Sequence, residues 1–215
     1  IVYLWKFKMV KINKERVLNL GEVKTPQNTV DDILDLFEDV NYKSRFFEPG
    51  CGDGNFLTNI LSRKLQMISS HQDFKDNIKQ NYVEIPEFKM IISLASIYGV
   101  DIDKKNIINS QQRMKNIVLN FYKKKFKTKI IPEYFEKIIA KIISNNILVG
   151  DLLNGIEEIK VIEYSEVPVN RVQKRLFKFE DLLYPDDEIF RDDLKLFGHI
   201  PEPYKTHKPV HYREL

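Results

Sequence analysis

A single cysteine in 215 residues excludes an internal disulfide framework. With only Cys51 and four scattered histidines, a Cys/His metal centre has almost no ligands to draw on, and none is expected. Long apolar runs are missing too. The stretches at 91–94 and 138–143 are interrupted by Ser or Lys well short of the roughly 20 residues that a membrane-spanning helix needs, so no membrane partner is expected. Residues 1–10 are apolar and basic but have neither a long hydrophobic region nor a small-residue cleavage site. They do not read as a secretory signal; Met9 is a candidate start, and a reducing cytoplasm is the expected location. No charge of one sign dominates either. The 34 basic and 31 acidic residues give a net charge of +3, which permits nucleic-acid binding without arguing for it.

What is present suits one substantial core, with 43% hydrophobic and 30% charged side chains. Thr25-Pro26 leads into apolar positions at Val30, Ile33, Leu34 and Phe37, which predicts an amphipathic helix capped by Asn28 or Thr29. A short buried strand over 45–48 is broken by Pro49-Gly50, and a glycine turn enters a helix from 55 to about 64. Residues 66–84 read as a loop or a helical excursion. Pro86 then starts a helix with Met90, Ile91 and Leu94 inward, before a strand over 97–102. Asp103 is placed to cap a helix over 104–122, and a helix over 132–144 and a strand over 146–149 follow. This alternation predicts an α/β fold with a parallel sheet and crossover helices. The segments 161–167 and 172–179, joined by Pro168-Val169-Asn170, predict a β-hairpin, and the Pro- and His-bearing tail from Tyr184 a loose arm.

In such a sheet ligands bind outside the carboxyl ends of the strands. Three strand ends deliver acids or glycines there: Glu48 with Gly50, Gly52 and Gly54; Asp101 with Asp103; and Asp151. A glycine turn alone would also suit a dinucleotide, but Glu48 and Asp53 beside it would repel a pyrophosphate. They suit a cationic, phosphate-free ligand such as S-adenosylmethionine. Asp103 reads as a helix cap, and Glu48, in a strand with Phe46 and Phe47, is costly to bury without partners, which favours a functional role. Residues 113–129 carry Arg113, Lys115, Lys123, Lys124, Lys125, Lys127 and Lys129 with no acid, and Phe121, Tyr122 and Phe126 lie among them. This run reads either as a solvated helix face or as a phosphate contact through Lys123, Lys124 and Lys125.

EPGCGDGNF resembles motif I of the amino-methylating DNA methyltransferases, GEVKTPQNTVDDILDLF their motif X, YGVDID motif II and NNILVGDLL motif III. Together these cover about residues 21–153, in the order found in the γ-type adenine-N6 methyltransferases of restriction-modification systems. The resemblance implies a class I methyltransferase (Rossmann-like) domain over 21–155. Residues 1–20 would be an N-terminal lead, and 156–215 a hairpin and arm packed on the same domain. It also implies S-adenosylmethionine as cofactor, with Thr25 and Pro26 against its methionine part and Glu48, Pro49, Gly50 and Gly52 lining the turn. Asp101 would bond the ribose hydroxyls, Ile102 beside it would also line the cofactor site, and Asp151 and Leu152 would hold the adenine. The implied partners are DNA and, for a subunit, another restriction-modification protein.

Motif IV of that family, Asn/Asp/Ser-Pro-Pro-Tyr/Phe, does not occur in this sequence. Ser165-Glu166-Val167-Pro168 is the nearest segment and has neither the double proline nor the aromatic, so no catalytic residue is assigned. The sheet is expected to be cut short, because the hairpin stands where later strands should follow. Two functions fit best, an active DNA adenine methyltransferase and a cofactor-binding, non-catalytic module of such a system; the placement of the motif X segment favours both over a third, methylation of RNA, protein or a small molecule.

Overall fold

Three strands lie parallel and in sequence order, which a chain achieves only by returning through a crossover after each strand. The computed structural model describes residues 2–3, 25–37, 40–68, 85–183 and 202–215. The strands are β2 (Phe46–Pro49), β3 (Ile97–Asp101) and β4 (Ile147–Val149), and the two-residue β1 (Val2–Tyr3) lies parallel at the outer edge of β2. Phe46 aligns with Ile97, and Gly99 with Ile147, so the three carboxyl ends finish at one edge. This mixed α/β arrangement with a parallel sheet is compatible with a Rossmann-like fold.

The helices are α1 (Gln27–Leu34), α2 (Asn55–Met67), α3 (Pro86–Ala95), α4 (Lys104–Phe126), α5 (Glu133–Asn146) and the short α6 (Phe179–Leu183). Side chains alternate across the strands, so Phe46, Ile97 and Ile147 join the core made with α1 to α5. Phe47 and Val100 face the other way, against Ile159 and Phe179. Helix α3 is buried from Glu87 to Ala95, including Glu87, Lys89 and Ser93. Glu87 accepts hydrogen bonds from the hydroxyls of Tyr122 (3.0 Å), Tyr134 (2.8 Å) and Tyr212, which is how a carboxylate is tolerated there.

The hairpin is present as β5 (Lys160–Val167) and β6 (Arg171–Lys178). It docks through Tyr98 Oη donating to the Ile162 carbonyl at 3.1 Å and through Asn145 Nδ2 donating to Tyr164 Oη at 3.0 Å. Glu163, mostly buried, pairs with Arg45 and Arg175. The C-terminal residues correct one expectation. Residues 184–201 lie outside the described residues, but 202–215 are not loose: β7 (Lys205–Thr206) and β8 (Val210–His211) pair with β6, and Tyr212 and Leu215 enter the core. Two-residue strands carry no readable periodicity, so only tertiary packing reveals them.

Smaller corrections concern boundaries. Helix α1 starts at Gln27 after Pro26, without a side-chain cap from Asn28 or Thr29. The first long strand is shifted by one residue, and α2 and α4 run on to Met67 and Phe126. Of the expected lead over 1–20, only Val2 and Tyr3 are described, and of the expected loop over 66–84, residues 69–84 lie outside the description. No helix among the described residues is long and apolar enough to cross a membrane.

Candidate functional site at the carboxyl edge of the sheet

The turn after β2 is folded back onto β3: the backbone N–H groups of Gly50 and Cys51 both donate to the Val100 carbonyl, at 2.8 and 2.9 Å. Gly50, Gly52 and Gly54 all take left-handed backbone angles, at φ 70, 55 and 83°. Their surroundings differ. A side chain at Gly50 or Gly52 would meet nothing within 4 Å, whereas one at Gly54 would collide with Ser110 on α4. The first two glycines leave a bare backbone beside open space, and the third lets α2 and α4 pack.

Asp101 fixes this turn. One of its carboxylate oxygens accepts the Gly52 N–H at 2.8 Å and the other the Asp103 N–H at 2.8 Å. Each oxygen keeps a further lone pair for a ligand hydroxyl. Asp103 accepts the Lys105 N–H at 2.8 Å and caps α4, as its position suggested. Asp53, counted from the sequence as a free negative charge, is paired. Arg113, three turns along α4, lies 3.0 Å from its carboxylate and donates to its carbonyl at 2.7 Å. A separation of 60 positions hides that contact from any local reading. Of the acids of the turn, Glu48 and Asp101 are therefore the ones left to face a ligand.

Glu48 ends up largely buried, with its Oε2 lacking any hydrogen-bond partner. Burial pushes its carboxyl up to about 8, so a ligand-free site holds the proton near neutrality. A cation placed against it would restore the charged form. The buried Cys51 thiol beside it is pushed up by burial and by the charges of Asp101 and Glu48, which makes it inert. Thr25 and Pro26 are brought to the same place, because Asn55 Nδ2, at the start of α2, donates to the Thr25 carbonyl at 2.8 Å. Asn55 was not singled out from the sequence; its position directly after the glycine turn is the signal that could have found it.

Ile102, just past β3, is 58% exposed and offers an apolar surface at the rim. Asp151 is engaged in its own turn, accepting from the N–H groups of Leu153 (2.8 Å) and Asn154 (3.1 Å) and from Asn154 Nδ2 (2.9 Å). The Asn154 amide and these N–H groups hold its carboxyl below the usual range. It borders a groove of about 490 Å³ with Val149, Gly155 and Lys160, while Leu152 is half-buried against the core containing Phe47 and Val100. Pro49 is the last residue of β2, paired with Val100. Ser165 lies inside β5 with its hydroxyl accepting from Arg175 at 3.1 Å, away from the carboxyl edge. Lys123, Lys124 and Lys125 are not at this site: α4 carries them about 30 Å from its capped start, at 1.5 Å per residue.

The edge thus combines bare glycine backbone, an unpartnered buried carboxyl and a braced aspartate, a combination that fits a small ligand bearing a cation and hydroxyls. No protein-family model, curated protein or solved structure matches this chain.

Proposed function

We propose that the chain is an S-adenosylmethionine-dependent methyltransferase domain of the class I type that modifies the exocyclic amine of adenine in DNA. The observation that carries this reading is Glu48 Oε2, buried without a partner beside the open backbone of Gly50 and Gly52. A dinucleotide would bring a pyrophosphate to that carboxyl; S-adenosylmethionine brings ammonium and sulfonium charges instead. When bound, it supplies an electrophilic methyl group.

The chain's own residues divide the binding work. Glu48 offsets the cationic part, and the free lone pairs of Asp101 accept ribose hydroxyls. Ile102 gives the adenine an apolar surface, and the Thr25-Pro26 segment, tethered by Asn55, lies over the methionine part. Asp151 would accept from the adenine amine only by sharing oxygens already used in its turn.

The second reading, a cofactor-binding module without catalysis, is favoured by a different observation. The hairpin follows β4 in place of another parallel strand, and Ser165 is held within it by Arg175. Labelled methyl transfer to unmethylated bacterial DNA separates the two. Incorporation that survives Ser165→Ala supports the enzyme with acceptor handling outside the hairpin; cofactor binding without incorporation supports the module.

A further inference from the structure

Helix α4 contains no acidic residue. From 104 to 132 the chain carries nine basic side chains and no acidic one, so against a net charge of +3 everything else sums to −6. Five of the nine, Lys123, Lys124, Lys125, Lys127 and Lys129, crowd the carboxyl-terminal end of α4 and the turn after it. The negative end of a helix dipole calls for about half a positive charge. Five lysines far exceed that, and crowding them costs repulsion.

Nearby lysines show what neutralisation looks like: Lys115 pairs with Glu136 at 2.8 Å, and Lys137 with Glu133 at 2.6 Å. Lys123, Lys124, Lys127 and Lys129 are exposed and have no ion pair among the described residues. Lys125 donates to the Ile68 carbonyl at 3.2 Å. Lys127 takes a left-handed backbone angle (φ 49°) at the helix end, where glycine or asparagine is the unstrained choice. The chain thus retains a lysine where the backbone favours another residue.

Beside these charges α2 and α4 enclose a groove of about 560 Å³, lined by Gln66, Ile117, Asn120, Phe121, Lys124 and Lys125 among others. Amides, an aromatic ring and ammonium groups in one groove match a nucleic-acid strand: the ammonium groups suit phosphates, and the amides and ring suit sugar and base edges. An acidic polypeptide would use the charges but leave the ring and amides idle. A lipid surface needs a convex apolar face, and this one is concave.

We infer that the carboxyl-terminal end of α4, with the α2/α4 groove, is a nucleic-acid docking surface that binds the phosphate backbone without reading sequence. It lies at the end of α4 opposite the methyl-donor edge, about 30 Å away, so it anchors DNA and does not accept the methyl group. The choice of nucleic acid rests partly on the proposed DNA-modifying function, but the surface can be tested without cofactor.

The test is fluorescence anisotropy of labelled duplex and single-stranded DNA over a series of salt concentrations, comparing the whole chain with K123Q/K124Q/K127Q/K129Q. Lys125 is left in place because it bonds to Ile68. Each lysine that displaces counterions contributes about 0.9 to the log–log salt slope on duplex and about 0.7 on single strands. The expected result is a slope lower by about 3 and at least tenfold weaker binding at physiological salt, with the quadruple Lys→Arg variant retaining both. S-adenosylhomocysteine binding should be equal in all three proteins, which also reports an intact fold. An unchanged slope overturns the inference, as does tighter binding to polyglutamate or anionic vesicles than to DNA. Failure of cofactor binding with the slope change intact would count against the methyltransferase reading alone.

Discussion

Two buried ionisable residues govern how stability should vary with pH. Glu48 is pushed up to about 8, so between its ordinary value near 4.5 and about 8 the folded chain holds a proton that the unfolded chain has lost. Stability from this group falls as pH rises through that window, by up to about 1.4 kcal/mol per pH unit. Lys64, fully buried on α2 and bonded to the Ser44 carbonyl and the Ser96 hydroxyl, is pushed down by burial to about 7. Its contribution is complete above about 10.5 and is lost as pH falls towards 7. Urea titrations across pH 5–10 should therefore show Glu48→Gln flattening the decline on the acid side and Lys64→Met flattening the rise on the alkaline side. A Glu48→Gln variant with wild-type pH dependence would show that Glu48 is not buried as described. Calorimetry near neutral pH in buffers of different ionisation enthalpy should also detect proton release when a cationic ligand binds. Val169, a β-branched residue at φ 67° on the hairpin tip and 65% exposed, gives a simpler case: Val169→Gly should stabilise by about 1 kcal/mol.

At the scale of elements, the unit from β2 through the glycine turn to α2 was largely legible in the sequence. Alternation, three glycines and the spacing of Phe56, Leu57, Ile60 and Leu61 all point the same way. What each glycine is for was not legible, because Gly54 differs from Gly50 only through Ser110, which is distant in sequence. Gly54→Ala should cost about 1–3 kcal/mol through backbone strain and collision and should loosen the turn, whereas Gly50→Ala should cost backbone strain alone. The C-terminal segment was misread for a similar reason. Its proline and histidine content signals a loose arm, yet Tyr212 reaches Glu87 on α3 and is held in turn by Arg213. Tyr212→Phe removes one donor from a buried carboxylate and should destabilise by about 1–3 kcal/mol in urea unfolding. A neutral outcome would mean that Tyr122, Tyr134 and Arg213 satisfy Glu87 without it.

At the scale of the whole molecule, α4 joins two surfaces of opposite character. Its capped start braces the turn through Asp103 and Arg113 beside Glu48 and Asp101, and its far end carries lysines that form no ion pair among the described residues. The sequence places the basic run at the far end of the helix that Asp103 caps, but not the Arg113–Asp53 pair that ties this helix to the glycine turn. The sequence suggests a ligand role for Asp101 but not its bracing of Gly52, since that bond spans 49 positions. The most direct measurement is a calorimetric titration of the chain with S-adenosylmethionine and with S-adenosylhomocysteine, repeated on Glu48→Gln. Saturable binding of both ligands, weakened at least tenfold by the substitution, is the predicted result. No binding at millimolar ligand, or binding that Glu48→Gln leaves unchanged, would contradict it.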